Sequence, residues 1–202
     1  VMTDPAECGP APLAFCQDAQ AEAWDFPDAF FEPRTWRIRR IQPDPVEVER
    51  VASLLRGAAR PVIVAGGGVH FSGATDALKT FAETHGLAVV ETQAGKSALP
   101  WDHPLDFGPV GVTGASCANA LCGQADVVLG VGTRFQDFTT GSWGLIGHAR
   151  LASLNVNAYD ALKRGAEPLL ADALAGLEAL SAALAGWTAS PPDAALKARW
   201  FA

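Results

Sequence analysis

Three consecutive glycines are the feature of this sequence that most suggests chemistry. Gly66, Gly67 and Gly68 follow a short apolar run in the stretch "VIVAGGGVHFSGA". A glycine turn between a strand and a helix lets backbone amides approach a phosphate closely, as in many nucleotide sites. The stretch matches neither GxGxxG nor GxxxxGK[ST]. Since glycine also permits a tight turn with no ligand bound, the triplet is consistent with either a nucleotide site or a scaffold.

Two cations lie on long loops that follow apolar runs. Lys96 is in "TQAGKSALPWDHPLDFGPVGVTG" and Arg134 is in "GVGTRFQDFTTGSWG". Loops of more than about 12 residues in a compact domain are usually functional or make contacts. Each cation suits a phosphate or carboxylate, and the alternative is that both are solvated. The aromatic residues around Arg134 either serve a ligand or pack the loop onto the sheet: Phe135, Phe138 and Trp143.

No other pattern in the sequence supplies catalytic or metal chemistry. His70 and His103 lack metal-ligand spacing, and Ser72 is not in a GxSxG motif. The cysteines have no CxxC spacing, which predicts buried, reduced thiols at all four positions: Cys8, Cys16, Cys117 and Cys122. We therefore assign no catalytic residue and no metal ligand.

Composition and charge exclude several classes of partner. The 202 residues carry a net charge of -7, which disfavours nucleic acid because phosphate binding needs a basic surface. No apolar run approaches the roughly 20 residues that span a bilayer, and "VMTDPAECGPAP" has no features of a signal peptide. We therefore expect a cytoplasmic protein with no nucleic-acid or membrane partner. The basic stretch "RTWRIRR" is interpreted as a linker on a domain surface, and an RNA-binding arm is the alternative.

An alternation of strands and helices fills the middle of the chain. Continuous apolar runs closed by glycine or polar residues indicate strands that are buried on both faces. The predicted strands are "RPVIVAGG", 87–92, 126–131, 151–156 and 168–171, and the predicted helices are 45–58, 73–85, 115–124 and 172–185. This order predicts the α/β class, with a doubly wound, Rossmann-like parallel sheet of five to six strands.

The two ends of the sequence are less regular than its middle. Residues 1–24 contain the apolar run "APLAFC", which predicts one strand, and residues 25–44 have the prolines and aromatics of a linker. Residues 45–187 form the predicted α/β domain. Residues 188–202 are interrupted by a double proline, after which a possible helix begins.

The regular middle resembles the central domain of thiamine-diphosphate-dependent enzymes. The resemblance rests on "RPVIVAGGGV", "ADVVLGVGTRFQDFTTGS" and "LNVNAYDALKRGAEPLLADALAGLEAL". Within that superfamily, "TQAGKSALPWDHP", "GTRFQDFTTGS" and most of residues 1–40 are similar to the trihydroxycyclohexane-1,2-dione hydrolases, which open a ring in inositol catabolism. The resemblance covers nearly the whole chain.

The resemblance implies a three-domain parent protein. In such enzymes an N-terminal domain binds the aminopyrimidine of thiamine diphosphate and a C-terminal domain holds the diphosphate through Mg²⁺ with a GDG motif. This chain contains no GDG, and residues 1–24 resemble only the tail of a pyrimidine-binding domain. Residues 188–202 then begin a linker to a C-terminal diphosphate-binding domain. We therefore expect thiamine diphosphate and Mg²⁺ in the parent enzyme, but not bound to this chain, which alone is inactive.

The resemblance also implies the partners of the chain and one alternative function. The implied partners are the two missing domains, a small cyclic dione in the parent, and further copies in a homo-oligomer. In some relatives, such as acetolactate-synthase-like enzymes, the central domain binds FAD or ADP across its glycine turn. Such a ligand would lie at Gly66, Gly67, Gly68, Gln93, Arg134 and Asn155. We favour the interpretation of the glycine turn as a scaffold.

Overall fold

The chain forms two compact units in the computed structural model, which describes residues 1–198. The first unit is Val1–Arg39 and the second begins at Arg40.

The first unit contains little regular structure and no buried residue. It has one α-helix, α1 (Gln17–Ala21), and one 3-10 turn (Asp28–Phe30). The strand predicted in "APLAFC" was wrong, because residues 11–15 form no regular structure. A strand needs a neighbour for its backbone hydrogen bonds, and none forms within this unit. Three of its aromatic rings pack against one another, with 4.9 Å between the centroids of Phe26 and Phe30 and 5.3 Å between those of Phe30 and Phe31.

Six parallel strands form the sheet of the second unit. They are β1 (Pro61–Ala65), β2 (Ala88–Glu91), β3 (Asp106–Pro109), β4 (Val127–Val131), β5 (Arg150–Asn155) and β6 (Glu167–Leu170). Their order is β3-β2-β1-β4-β5-β6, which is the Rossmann order with its switch point between β1 and β4. The α/β fold predicted from the sequence is thus confirmed, with six strands.

One of these strands was not predicted. The sequence of β3 is "DFGP", and Asp, Gly and Pro are all depleted in strands. The strand forms at the edge of the sheet, where Pro109 needs no partner for a backbone N–H. Its pairing with β2 is irregular, with Val89 opposite Asp106 and Glu91 opposite Pro109.

The helices connect the strands and cover the sheet. The longer ones are α2 (Pro45–Arg56), α4 (Thr75–His85), α5 (Ser116–Gln124) and α8 (Ala173–Ala183), which agree closely with the predicted bounds. The shorter ones are α3 (Gly68–Phe71), α6 (Asp137–Thr140), α7 (Ala158–Ala161) and α9 (Ala194–Ala198). The carboxylates of Asp44 and Asp172 accept backbone N–H groups at the starts of α2 and α8, which fixes where these helices begin. Within residues 1–198, no helix is long and apolar enough to cross a membrane.

Apolar side chains pack on both faces of the sheet. In β1, Ile63 and Ala65 belong to the core under α2, α4 and α8, whereas Val62 and Val64 belong to the core on the α5 side. All five residues of β1 are buried. Burying a Val or Ile side chain contributes about 1.5–3 kcal/mol, so two covered faces explain why the strands read as continuous apolar runs.

Four loops leave the carboxyl ends of the inner strands. They are the β1 loop (66–74), the β2 loop (92–105), the β4 loop (132–149) and the β5 loop (156–166). A Cβ atom placed on Gly66 would lie 2.3 Å from the carbonyl oxygen of Gly132, and one on Gly95 would lie 2.1 Å from that of Ala65. The β1 loop therefore touches both neighbouring loops, backbone against backbone, at distances that only glycine allows.

A buried carboxyl group lies in β3. Asp106 is 1% exposed, and its Oδ1 accepts the N–H of Gly108 at 2.9 Å. Burial raises the pKa of Asp106 to about 6; the hydrogen bond from Gly108 opposes this rise, and the nearby carboxylate of Glu91 adds to it. The carboxyl group therefore holds its proton more tightly in the folded protein than in the unfolded chain.

We predict that Gly66→Ala destabilises the protein strongly. Its new methyl group would meet the Gly132 carbonyl oxygen at 2.3 Å, so we expect a loss of about 3 kcal/mol or more in the free energy of unfolding, measured with urea. Gly123 in α5 is the matched control, because a Cβ there meets nothing within 4 Å. Gly123→Ala should gain about 0.5–1 kcal/mol from helix propensity. Equal stability of the two variants would contradict the close approach of the loops.

We predict that Asp106→Asn stabilises the protein above about pH 6 but not near pH 4. Because the folded pKa is raised, ionisation of Asp106 opposes folding as the pH rises from about 4 to about 6, by about 3 kcal/mol in total. The asparagine stays neutral and keeps an oxygen for Gly108. Urea unfolding across this pH range measures the difference.

Asp126→Asn is the control, because its effect on stability at neutral pH should be opposite to that of Asp106→Asn. Burial acts to raise the pKa of Asp126, but N–H groups of Ala59 and Arg60 donate to its carboxylate, and the net pKa is lowered. Its contribution to stability is present above about pH 4 and is lost as the pH falls through the folded pKa. This variant should be less stable than the wild type at neutral pH. If Asp106→Asn is less stable than the wild type at neutral pH, the folded protein favours the ionised form of Asp106, which would contradict the prediction.

Candidate functional site

Two glycines of the triplet donate their backbone N–H groups to carbonyl groups of the protein. Gly66 donates its N–H to the carbonyl of Val131 at 2.8 Å, and Gly68 donates to that of Gly132 at 3.0 Å. None of the three glycines has a positive φ, whereas Gly132 has a φ of +62°. Close backbone packing therefore explains Gly66 and Gly68 without a bound phosphate. The helix that follows, α3, has four residues.

The β2 loop is held by a buried carboxylate and by a histidine. Glu91, which is 6% exposed, accepts the N–H groups of Ser97 and Leu99, both at 3.1 Å. The Nε2 of His70 lies 2.9 Å from the carbonyl oxygen of Lys96, so a hydrogen bond joins the β1 and β2 loops. The side chain of Gln93 is exposed, as is that of Lys96.

Asn155 links the β4 and β5 loops. Its Nδ2 donates to the carbonyl of Thr133 at 3.0 Å, and its Oδ1 accepts the N–H of Asn157 at 3.0 Å. The side chain is buried. Because both polar ends of this amide are engaged by the protein, Asn155 positions the loops, and a ligand would have to displace those bonds.

Arg134 projects from the β4 loop into solvent. Its side chain is 70% exposed, and its Nε lies 3.8 Å from Oδ2 of Asp160. Lys163 is closer to that carboxylate, at 2.8 Å from Oδ1, and it also donates to the carbonyl of Arg134. Asp160 is therefore already neutralised by Lys163, which leaves the guanidinium of Arg134 accessible to an anion.

The predicted residues lie along one edge of the sheet but differ in availability. The polar groups of Gly66, Gly68 and Asn155 form hydrogen bonds within the protein. The side chains of Gln93 and Arg134 are exposed to solvent. Of the aromatic residues on the β4 loop, Phe135 is buried and packs 6.2 Å from the ring of Trp143, whereas Phe138 is exposed. Phe135 and Trp143 therefore pack this loop, which leaves Phe138 at the surface.

Other candidate residues have structural partners. The hydroxyl of Ser72 is buried and accepts the N–H of Ala173. The prediction of four buried thiols was correct for Cys117 and Cys122 but wrong for Cys8 and Cys16, which lie exposed in the first unit. Burial raises the pKa of Cys122 to about 12, so this thiol is unreactive. Across residues 1–198, no three His, Cys, Asp or Glu side chains are grouped so that they could hold a metal ion.

Sequence reasoning missed two buried carboxyl groups, Glu91 at the end of β2 and Asp106 at the start of β3. Glu91 ends a predicted apolar strand, and a charged residue closing such a run is a usable signal for a loop anchor. Asp106 gave no comparable signal, because β3 itself was not predicted. Glu91 fixes the backbone of the β2 loop by accepting the N–H groups of Ser97 and Leu99, whereas Asp106 accepts the N–H of Gly108 within its own strand.

Comparison with known proteins identifies the relatives of this chain. The family described as thiamine pyrophosphate enzyme, central domain, matches residues 48–180. Proteins named 3D-(3,5/4)-trihydroxycyclohexane-1,2-dione hydrolase match in Geobacillus thermodenitrificans (45% identity over 190 residues) and Halalkalibacterium halodurans (42% over 205 residues). These alignments cover 94% and 100% of this chain.

The chain spans only about a third of the curated relatives. The aligned part is 30% of the Geobacillus protein and 32% of the Halalkalibacterium protein. The resemblance inferred from the loop sequences is confirmed. Since the family match runs over 48–180, more than half of the 202 residues, the chain belongs to the family of thiamine pyrophosphate enzyme central domains.

Proposed function

We propose that this chain is the central domain of a longer thiamine-diphosphate-dependent hydrolase that opens the ring of a trihydroxycyclohexane-1,2-dione to a deoxy sugar acid in inositol catabolism. The observation that carries the proposal is the 45% identity to a hydrolase of that name over 94% of the chain. The 190 aligned residues include most of the first unit as well as the α/β domain, so the match extends beyond residues 48–180, which the family covers.

The cofactor of this reaction would be held by other parts of the longer protein. Thiamine diphosphate supplies an electron sink for breaking a carbon–carbon bond. The sequence contains no GDG motif, and residues 1–198 present no group of side chains suited to Mg²⁺. The residues present do not fit the diphosphate and its metal, so we derive no catalytic step from this chain.

The role that fits this chain is to position its neighbours. Loops joined backbone to backbone make the carboxyl edge of the sheet rigid, and this edge presents Arg134 together with exposed apolar side chains. The exposed apolar residues on these loops include Phe71, Trp101 and Phe138. Such residues are suited to contacts with other domains or with further copies in a homo-oligomer. Arg134 is suited to an anionic group of a substrate or a neighbouring domain.

The proposed domain organisation divides the chain into four parts. Residues 1–24 are the tail of a pyrimidine-binding domain, 25–44 a linker, 45–187 the central domain, and 188–202 the start of a linker to a diphosphate-binding domain. In support, the boundary between the two compact units falls at Arg39 and Arg40, inside the proposed linker. Free cysteines at all four positions fit a reducing, cytoplasmic compartment.

Binding of FAD or ADP by this domain is the alternative, and the loop geometry disfavours it. A nucleotide phosphate on the glycine turn would need amide donors, and those of Gly66 and Gly68 already donate to protein carbonyls. An incoming ligand would also have to replace the two hydrogen bonds of Asn155.

We predict that the 202-residue chain alone does not open the cyclic dione, and that the protein encoded by the complete reading frame does. Both proteins would be assayed with thiamine diphosphate, Mg²⁺ and the trihydroxycyclohexane-1,2-dione, and the acid product measured by chromatography. The full protein without thiamine diphosphate is the control. Turnover by the chain alone would refute its non-catalytic role, and failure of the full protein to open the ring would refute the proposed substrate.

A further inference from the structure

A cavity of about 330 Å³ lies at the opposite end of the sheet from the glycine turn. Arg150 and Glu167 are the first residues of β5 and β6, so this cavity lies at the amino-terminal edge. Trp143, Gly147 and Arg164 line it from the β4 and β5 loops, and Leu54 from α2. Its volume is at the lower end of the range for small-molecule sites.

Two of the residues that line this cavity, Trp143 and Arg164, have a strained backbone. Ser142, Trp143 and Arg164 have φ values of +52°, +70° and +59°, and Gly141 before them has +55°. Positive φ is uncommon for residues other than glycine, and each such residue costs about 1–3 kcal/mol. Trp143 and Arg164 both line the cavity, and their side chains contact each other. Strain of this kind concentrates at ligand sites.

Arg150 and Arg164 line this cavity with exposed side chains. The guanidinium of Arg164 stacks over the indole of Trp143, with Cζ 4.7 Å from the ring centroid. Stacking engages the face of a guanidinium and leaves the N–H groups at its edge free to bind oxygen atoms. In the part of the chain that the structure describes, no carboxylate forms an ion pair with Arg150 or Arg164.

The one carboxylate that lines the cavity has a cation nearby. Glu167 lies 3.8 Å from the guanidinium of Arg50, which reduces its repulsion of an anion. The cavity therefore has a positive balance of charge, with two arginines against one paired glutamate, in a chain whose net charge is -7. The cavity is therefore locally positive although the chain as a whole is acidic.

We propose that this cavity binds a small organic anion through a carboxylate or phosphate group. The N–H edges of Arg164 and Arg150 would bind its oxygens, and the indole of Trp143 would hold Arg164 in place. A guanidinium group is well suited to such an oxyanion because its planar fork donates two parallel hydrogen bonds. This site lies outside the residues predicted from the glycine turn, and its function does not depend on the proposed ring opening.

The test is a titration of the ¹⁵N-labelled chain with malonate and with inorganic phosphate, each compared with chloride at the same ionic strength. The indole N–H signal of Trp143, assigned by its disappearance in Trp143→Phe, should shift to saturation with at least one of the two anions. The anion that saturates identifies the preferred group as a carboxylate or a phosphate. Absence of saturation with both, beyond the effect of chloride, would overturn the proposal.

Two arginine variants test the assignment of the ligands. Arg164→Gln and Arg150→Gln should each weaken binding about tenfold or more, as expected for loss of a charge-assisted hydrogen bond. Lys79→Gln, which removes an exposed cation from α4, is the charge-matched control and should bind as the wild type does. Circular dichroism checks that the variants fold. Equal weakening in all three variants, or in none, would overturn the site, while leaving the proposed hydrolase function untouched.

Discussion

The close contact between Gly132 and the glycine turn is the constraint on which this edge of the sheet depends. Gly66 and Gly68 both lie where a Cβ atom would meet Gly132 at less than 3 Å, and Gly68 donates its N–H to the carbonyl of Gly132. The segments that follow β1 and β4 can therefore approach this closely at the switch point only because both carry glycine there. This contact brings the β1 and β4 loops together as one surface.

The β2 and β5 loops are attached to the two loops that make this contact. Gly95 packs against Ala65, and His70 bonds to the carbonyl of Lys96, so the β2 loop is fixed to the β1 loop. On the other side, Asn155 ties the β5 loop to Thr133. Backbone amides and buried side chains thus hold these loops together, and the side chains of Gln93, Lys96 and Arg134 stay accessible. This division suits a domain that positions others.

The strands that consist mainly of apolar residues could be predicted from the sequence. Prediction failed where the conformation of a residue depends on partners that are distant in the chain. β1 and β4 were predicted because Val, Ile and Leu fill them, and α2 because its apolar residues share one face and Pro45 suits a first turn. β3 was missed because Asp106, Gly108 and Pro109 are poor strand formers, although the strand that they form pairs with β2. The predicted strand in "APLAFC" failed for the converse reason, since an apolar run without a neighbouring strand has nothing to pair with. Gly66 was ambiguous because its partner, Gly132, is far away in the chain.

The most direct measurement of the central claim is an amide ¹H–¹⁵N titration of the chain with ADP and with FAD. If the glycine turn is a scaffold filled by the β4 loop, neither ligand will shift the signals of Gly66, Gly68 and Gly132 to saturation. A saturable shift of these three signals, accompanied by one of the side-chain amide of Asn155, would contradict the account and make the turn a nucleotide site.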